Sequence, residues 1–95
     1  MNSLFDRIRA TALQLPEVEE RDEPGGTSFF VAGTPFARFR HDHDGGGPIV
    51  CVRAADADWV SMNLAVDIDW ALVDDRIARS WELVAPQALL EAGGR

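Results

Sequence analysis

Turn-forming residues divide the middle of this 95-residue chain into short segments, and their spacing constrains the fold more than any other sequence feature. Glycine and proline cluster at 24–26, 33–35 and 44–48, where they favour tight turns or flexible connections. Short runs rich in β-branched and aromatic residues lie between and after these turns. Such runs, joined by short connections, are typical of neighbouring antiparallel strands. The sequence therefore predicts β-strands at 27–32, 35–40, 49–53 and 59–66.

Apolar residues recur at helical spacing on both sides of this β region. The first series predicts a helix over 3–15 that ends at Pro16. The second predicts a helix over 70–84 with Asp69 as its N-cap, and Pro86 then begins a short third helix. The expected fold class is α+β: an antiparallel β-sheet of about four to five strands, with N-terminal and C-terminal helices packed on one face.

Length, hydropathy and cysteine content predict a single cytoplasmic domain that spans no membrane. A chain of 95 residues supports one core, so the domain is expected to cover 1–95. The longest apolar runs are only a few residues, and residues 1–7 lack the basic and apolar regions of a secretory signal. Cys51 is the single cysteine and forms no internal disulfide, as expected in a reducing compartment.

The formal net charge of −7 comes from 16 acidic and nine basic residues. Every basic residue is arginine, so Schiff-base lysine chemistry, a P-loop lysine and a Ser-Lys dyad are all excluded. The negative field repels polyanions at long range. Five acids lie within 17–23, and such a run is typical of a solvated face or loop. The alternative interpretation of that run is a site for a cation or a basic partner.

Strand alternation separates two faces of the expected sheet. In the last strand, Val60, Met62, Leu64 and Val66 are assigned to the core, and Trp59, Ser61 and Asn63 then point away from it. The same alternation places arginines of the neighbouring strands on the outer face. These candidate contact residues are Arg38, Arg40, Arg53, Trp59 and Asn63.

Arginines interleaved with an aromatic ring and hydrogen-bonding side chains suit a phosphate backbone or a flat anionic ligand. The alternative is that they are solvated residues of a sheet covered on one side, where arginine also discourages edge pairing.

The remaining reactive residue types give weaker signals. His41 and His43, flanked by aspartates, have the chemistry of zinc ligands, and the alternative is a polar turn. Cys51 is either a small core residue or a thiol activated by Arg53. Ser80 has no histidine near it in the expected fold, so no catalytic residue and no cofactor is predicted.

Four segments together resemble the MmcQ/YjbR family. They are the proline-terminated first helix with its acidic continuation at 13–20, the turn from Phe30-Val31-Ala32-Gly33 into Phe36-Ala37-Arg38-Phe39, the strand led by Trp59, and Ser80-Trp81-Glu82-Leu83-Val84-Ala85-Pro86. The resemblance implies a CyaY-like α+β architecture and DNA binding through a double-wing arrangement. One departure is the short 54–58 connection, where family members usually carry a further helix and an aromatic-rich stretch.

The sequence and the resemblance together predict a small non-enzymatic binding module. It is expected to contact DNA, weakly and with strong salt dependence, through its sheet face and hairpin wings. The alternative is a protein-interaction or small-anion-binding domain that uses the same face or the groove beside the last long helix.

Overall fold

The computed structural model describes residues 4–41, 47–54, 59–64 and 67–92. Its five strands form one antiparallel sheet in which the spatial order β1-β2-β3-β4-β5 follows the chain. Helices precede and follow the sheet, which confirms the α+β prediction. The elements are α1 Leu4–Leu13, β1 Val18–Glu23, β2 Gly26–Val31, β3 Thr34–Arg40, β4 Ile49–Arg53, β5 Trp59–Asn63, α2 Trp70–Val84 and α3 Gln87–Ala92.

The acidic segment 17–23 was expected to be a solvated face or loop, and the structure shows the former, because most of it is an edge strand with exposed or half-buried side chains. Val18 to Glu23 pair with β2 along their whole length. Backbone hydrogen bonds pair an edge strand with its neighbour, so most of its side chains can be charged. Glu20 also forms an ion pair with Arg9 of α1, at 2.6 Å. The side chains of this strand are exposed or half-buried, as the composition predicted.

The hairpin turn between β2 and β3 lies one residue earlier than predicted. Ala32 and Gly33 occupy its centre, with φ of 52° and 81°, whereas Thr34 and Pro35 already belong to β3. Two consecutive positive φ angles are the signature of a type I′ turn, whose twist matches that of the flanking strands. Alanine rarely adopts this conformation. The sequence therefore predicted the turn at the glycine and proline of 33–35 and did not include Ala32.

The core lies between the inner face of the sheet and the helices, and α2 packs mainly against β3 and β4. Asp69 caps α2 as predicted, because its side chain accepts a hydrogen bond from the backbone N–H of Leu72 at 3.2 Å. The largest fully buried side chains include Trp81, Phe29, Phe36, Ile8, Leu64 and Ile77.

The assignment of the β5 alternation to the core was only partly right. Leu64 is buried, but Met62 is half-buried and Val60 is 44% exposed. Val60 lies opposite the buried Val52, so its strand face is the expected one. It stays exposed because α2 crosses the two strands before β5. Val66 lies outside the described residues.

Within the described ranges, no helix combines the length and the apolar character needed to cross a membrane.

Gly26 begins β2 at a close approach between strands. A Cβ atom at this position would lie 1.9 Å from the carbonyl oxygen of Phe39, in the neighbouring strand. Gly33, in the β2–β3 turn, has a positive φ of 81° but nothing within 4 Å of its own Cβ position. Gly26 is therefore required because there is no space for a side chain, and Gly33 is required because of its backbone conformation.

We predict that Gly26→Ala destabilises the domain by more than about 4 kcal/mol, the range of severe core clashes. Gly33→Ala should cost about 1–2 kcal/mol, for the left-handed backbone alone. Urea denaturation followed by tryptophan fluorescence measures both. Equal losses for the two variants would contradict the close approach of β2 and β3.

Candidate functional site

The strand register brings all five predicted contact residues to one face of the sheet. Across β3, β4 and β5, Arg38 lies opposite Cys51, which lies opposite Ser61. On the same face, this row has one neighbouring row on each side. One neighbouring row contains Arg40, Ile49 and Asn63, and the other pairs Arg53 with Trp59. The helices pack on the opposite face, and none of the described helices covers this outer face. We refer to Arg38, Arg40, Arg53, Trp59 and Asn63 as the outer-face cluster.

Trp59 is the centre of this cluster. The guanidinium carbons of Arg38 and Arg53 lie 4.6 Å and 4.4 Å from its ring centroids. Cation–π contacts of this kind hold a guanidinium in place without neutralising its charge. Arg53 is held further by a hydrogen bond of 3.4 Å from its Nε to the carbonyl oxygen of Pro35. Two positive charges are therefore positioned beside one half-buried indole.

Arg38 has an unusual hydrogen-bonding state. Its Nε is buried and has no hydrogen-bond partner among the described residues. A buried donor without a partner is costly, by about 1–3 kcal/mol, and such groups are often found where a ligand or water binds. Arg38 also lines a shallow depression of about 260 Å³. The other residues that line it are Arg40, Ile49, Cys51, Trp59 and Ser61.

Charge is segregated across the outer face. The outward positions of β3, β4 and β5 carry three arginines, and no carboxylate among the described residues. The outward positions of β1 carry Glu19 and Glu23 beside Arg21. Glu23 accepts a hydrogen bond from Ser28 at 2.6 Å, and Arg21 stacks on Phe30 at 4.4 Å. The positive region is therefore local, on a chain whose total charge is −7.

Cys51 faces outward, so its interpretation as a core residue was wrong. It is half-buried on the outer face, with its Sγ atom 3.4 Å from the hydroxyl oxygen of Ser61. Arg53 lies on the same face, as the alternation of β4 predicted. The inward neighbours Val50 and Val52 fill the core instead.

The histidine pair is described only in part. His41 packs edge-on against Phe39, with ring centroids 5.0 Å apart, and its position follows the inner face of β3 rather than the outer-face cluster. His43 lies outside the described residues. Within the ranges that are described, no group of three histidine, cysteine or carboxylate side chains is placed to hold a metal ion.

Ser80 has a structural role that the sequence analysis missed. Its buried hydroxyl accepts a hydrogen bond from the backbone N–H of Arg53 at 2.8 Å and donates one to the carbonyl oxygen of Phe36. Ala37 pairs with Val52, so Phe36 and Arg53 would form the next rung of the β3–β4 ladder. The hydroxyl bridges the two strands at that rung. The sequence did contain a signal for the burial of Ser80, because Ser80 follows Val73 and Ile77 at helical spacing on the apolar face of α2.

The Ser80 bridge also supports the outer-face cluster. It holds the backbone of Arg53 from the inner side of the sheet, while the Arg53 side chain contacts Trp59 on the outer side. The next residue, Trp81, is 1% exposed and donates from Nε1 to the carbonyl oxygen of Pro16 at 3.0 Å. The Ser80-Trp81 pair thus ties α2 both to the sheet and to the end of the α1 segment.

We predict that Ser80→Ala lowers the free energy of unfolding by about 1–3 kcal/mol, because the N–H of Arg53 and the carbonyl of Phe36 lose their shared partner. Ser61→Ala, at an exposed serine of the same sheet, should change it by less than about 0.5 kcal/mol. Thermal and urea denaturation of both variants provide the measurement. A Ser80→Ala variant as stable as Ser61→Ala would show that the bridge carries no net stability.

No protein-family model matches this chain, and neither the curated proteins nor the solved structures yield a significant match. Function is therefore inferred from the chemistry of the chain's own outer face. The outer-face cluster offers positioned positive charge and the indole of Trp59, and it borders a shallow depression.

Proposed function

We propose that this chain is a non-enzymatic binding module of the MmcQ/YjbR type, whose outer sheet face binds nucleic acid through its phosphates. The observation that carries the proposal is the position of Trp59 against two guanidinium groups, those of Arg38 and Arg53. Arg40 extends the same positive region toward the end of β3. DNA is the proposed partner, as the family resemblance implies.

The chemistry of these side chains suits a phosphate backbone. A guanidinium presents a planar fork of donors that matches phosphate oxygens, and stacking on an aromatic ring leaves those donors at its edge. Arg40 donates from Nη1 to the carbonyl oxygen of Pro24 at 3.1 Å, which orients its head without neutralising it. Trp59 adds a surface on which an exposed base can stack.

The total charge sets the expected strength. A chain of charge −7 is repelled by DNA at long range, so binding is proposed to be weak and confined to the arginine-bearing strands. Two or three neutralised phosphates give a steep but limited salt dependence. The wings implied by the family resemblance include the 44–48 turn, of which residues 44–46 lie outside the described residues.

A second candidate function is the binding of a small anion, and one observation favours it. The Nε of Arg38 is buried without a partner among the described residues, and Arg38 and Arg40 both line the depression of about 260 Å³. A single phosphate or carboxylate group would accept hydrogen bonds from both arginines there. This candidate uses the same residues but needs no extended polymer.

The test is fluorescence anisotropy of a labelled short DNA duplex at about 50 mM and about 200 mM salt. We expect affinity to fall about 10- to 40-fold between them, the range for two to three neutralised phosphates. The double variant Arg38→Ala/Arg40→Ala should lose most of the binding at low salt. Its control is Arg79→Ala, which removes an arginine from α2 that is paired with Asp75 at 2.8 Å.

The control is matched in chemistry but not in position. Arg79 has a largely exposed side chain, and its hydrogen bond to Asp75 raises the pKa of the guanidinium, so it is fully charged in the assay. The control removes one positive charge and the double variant removes two. If Arg79→Ala loses half as much binding free energy as the double variant, or more, the binding depends on the net charge of the protein and not on the outer face. No binding of wild-type protein at low salt would refute the DNA proposal. Chemical-shift changes at Cys51 and Ser61 on addition of inorganic phosphate would then support the small-anion candidate.

A further inference from the structure

The outward edge of β5 has backbone groups that are not used by its neighbour. The N–H of Leu64 donates to the carbonyl oxygen of Pro48, in the β4 segment, at 2.9 Å. Antiparallel ladders alternate, so residues 62 and 60 also bond toward β4, whereas the N–H and C=O groups of Trp59 and Ser61 point away from it. Within the described residues, β5 is the last strand of the sheet. This edge is therefore a template for another strand.

The two edges of the sheet differ sharply in charge. After Val18, β1 consists entirely of charged residues, four acids and Arg21. A second β1 brought against it would oppose carboxylates, and charge of this kind is how sheets commonly block edge pairing. By contrast, β5 reads Trp59-Val60-Ser61-Met62-Asn63 and carries no charge. Of the two edges in the described part of the sheet, β5 therefore lacks this protection.

Apolar side chains beside β5 are also incompletely covered. Val60 and Leu72 are each 44% exposed, and Met62 is half-buried. They line a groove of about 190 Å³ between β5 and α2, together with Val52, Arg53, Ala54 and Arg76. An uncharged edge strand beside uncovered apolar side chains favours association over solvation.

We propose that β5 pairs antiparallel with β5 of a second copy of this chain, centred on Ser61. A twofold axis at Ser61 places Val60 opposite Met62 of the second copy and Trp59 opposite its Asn63. Apolar residues then meet apolar residues on the helix-covered side, and no charged residue of either strand faces another. The strand is thus complementary to itself, as a twofold interface requires. The charge pattern of β1 excludes the same arrangement there.

The dimer has a consequence for the outer face. Residues directly opposite each other in an antiparallel pair point to the same side. The two sheets would therefore join into one of ten strands, five from each copy. Both outer-face clusters would lie on the same side of that sheet. The proposal does not depend on nucleic-acid binding, because it rests on the edge and the groove alone.

Sedimentation velocity from about 1 μM to about 300 μM protein, without DNA, tests the dimer. We expect the wild-type protein to shift from the mass of one chain toward twice that mass as concentration rises. Ser61→Pro removes an N–H that β4 does not use, and proline is tolerated at sheet edges, so this variant should remain monomeric. Ser61→Ala keeps the N–H and should behave as the wild type does.

A second variant keeps the test independent of proline. Val60→Lys places a charge on the apolar side of the interface at an exposed position, so it should keep the fold and remain monomeric. Circular dichroism checks that each variant keeps the fold. If Ser61→Pro is unfolded, the oligomeric state of Val60→Lys tests the proposal. A wild-type protein that is monomeric over the whole range would overturn the proposal. So would a dimer that persists in Val60→Lys.

Discussion

The hydroxyl group of Ser80 is the contact on which the rest of the arrangement depends. It bridges the backbones of Phe36 and Arg53 at the rung where direct β3–β4 pairing ends. One side chain of α2 therefore completes the sheet hydrogen bonding from the core side. Trp81 extends the same anchor to Pro16. Losing either partner of a buried hydroxyl costs about 1–3 kcal/mol, so this pair of hydrogen bonds favours the observed position of α2 on the sheet, together with the buried side chains of Val73, Ile77 and Trp81.

That position decides which surfaces remain open. With α2 over β3 and β4, the inner side of β5 is only partly covered, and Val60 is exposed although its strand neighbour Val52 is buried. None of the three described helices lies on the outer face. The molecule thus presents two distinct surfaces: an arginine–tryptophan cluster on the outer face and an uncharged edge at β5. The proposed DNA contact uses the first, and the proposed dimer uses the second.

Net charge and local charge lead to different expectations for this chain. A charge of −7 argues against binding a polyanion, yet the strand register gathers Arg38, Arg40 and Arg53 on three adjacent strands. Acidic residues predominate in β1, at the edge of the sheet opposite β5. The separation means that acidity limits long-range attraction of a polyanion, while the outer-face cluster stays positive. In the proposed dimer, the same acidic edge would leave β5 as the strand that pairs.

The sequence by itself determined the α+β class, the antiparallel meander, the Asp69 cap and the shared face of Arg38, Arg40 and Trp59. These features follow from local periodicity, since strand alternation and helix spacing depend only on neighbouring residues. The tertiary structure alone decided that the acidic segment pairs as β1, that Val60 is exposed and that Ser80 bridges two strands. Each of these features depends on how elements distant in the sequence pack together. The position of α2 across the sheet, in particular, is not encoded by any local pattern.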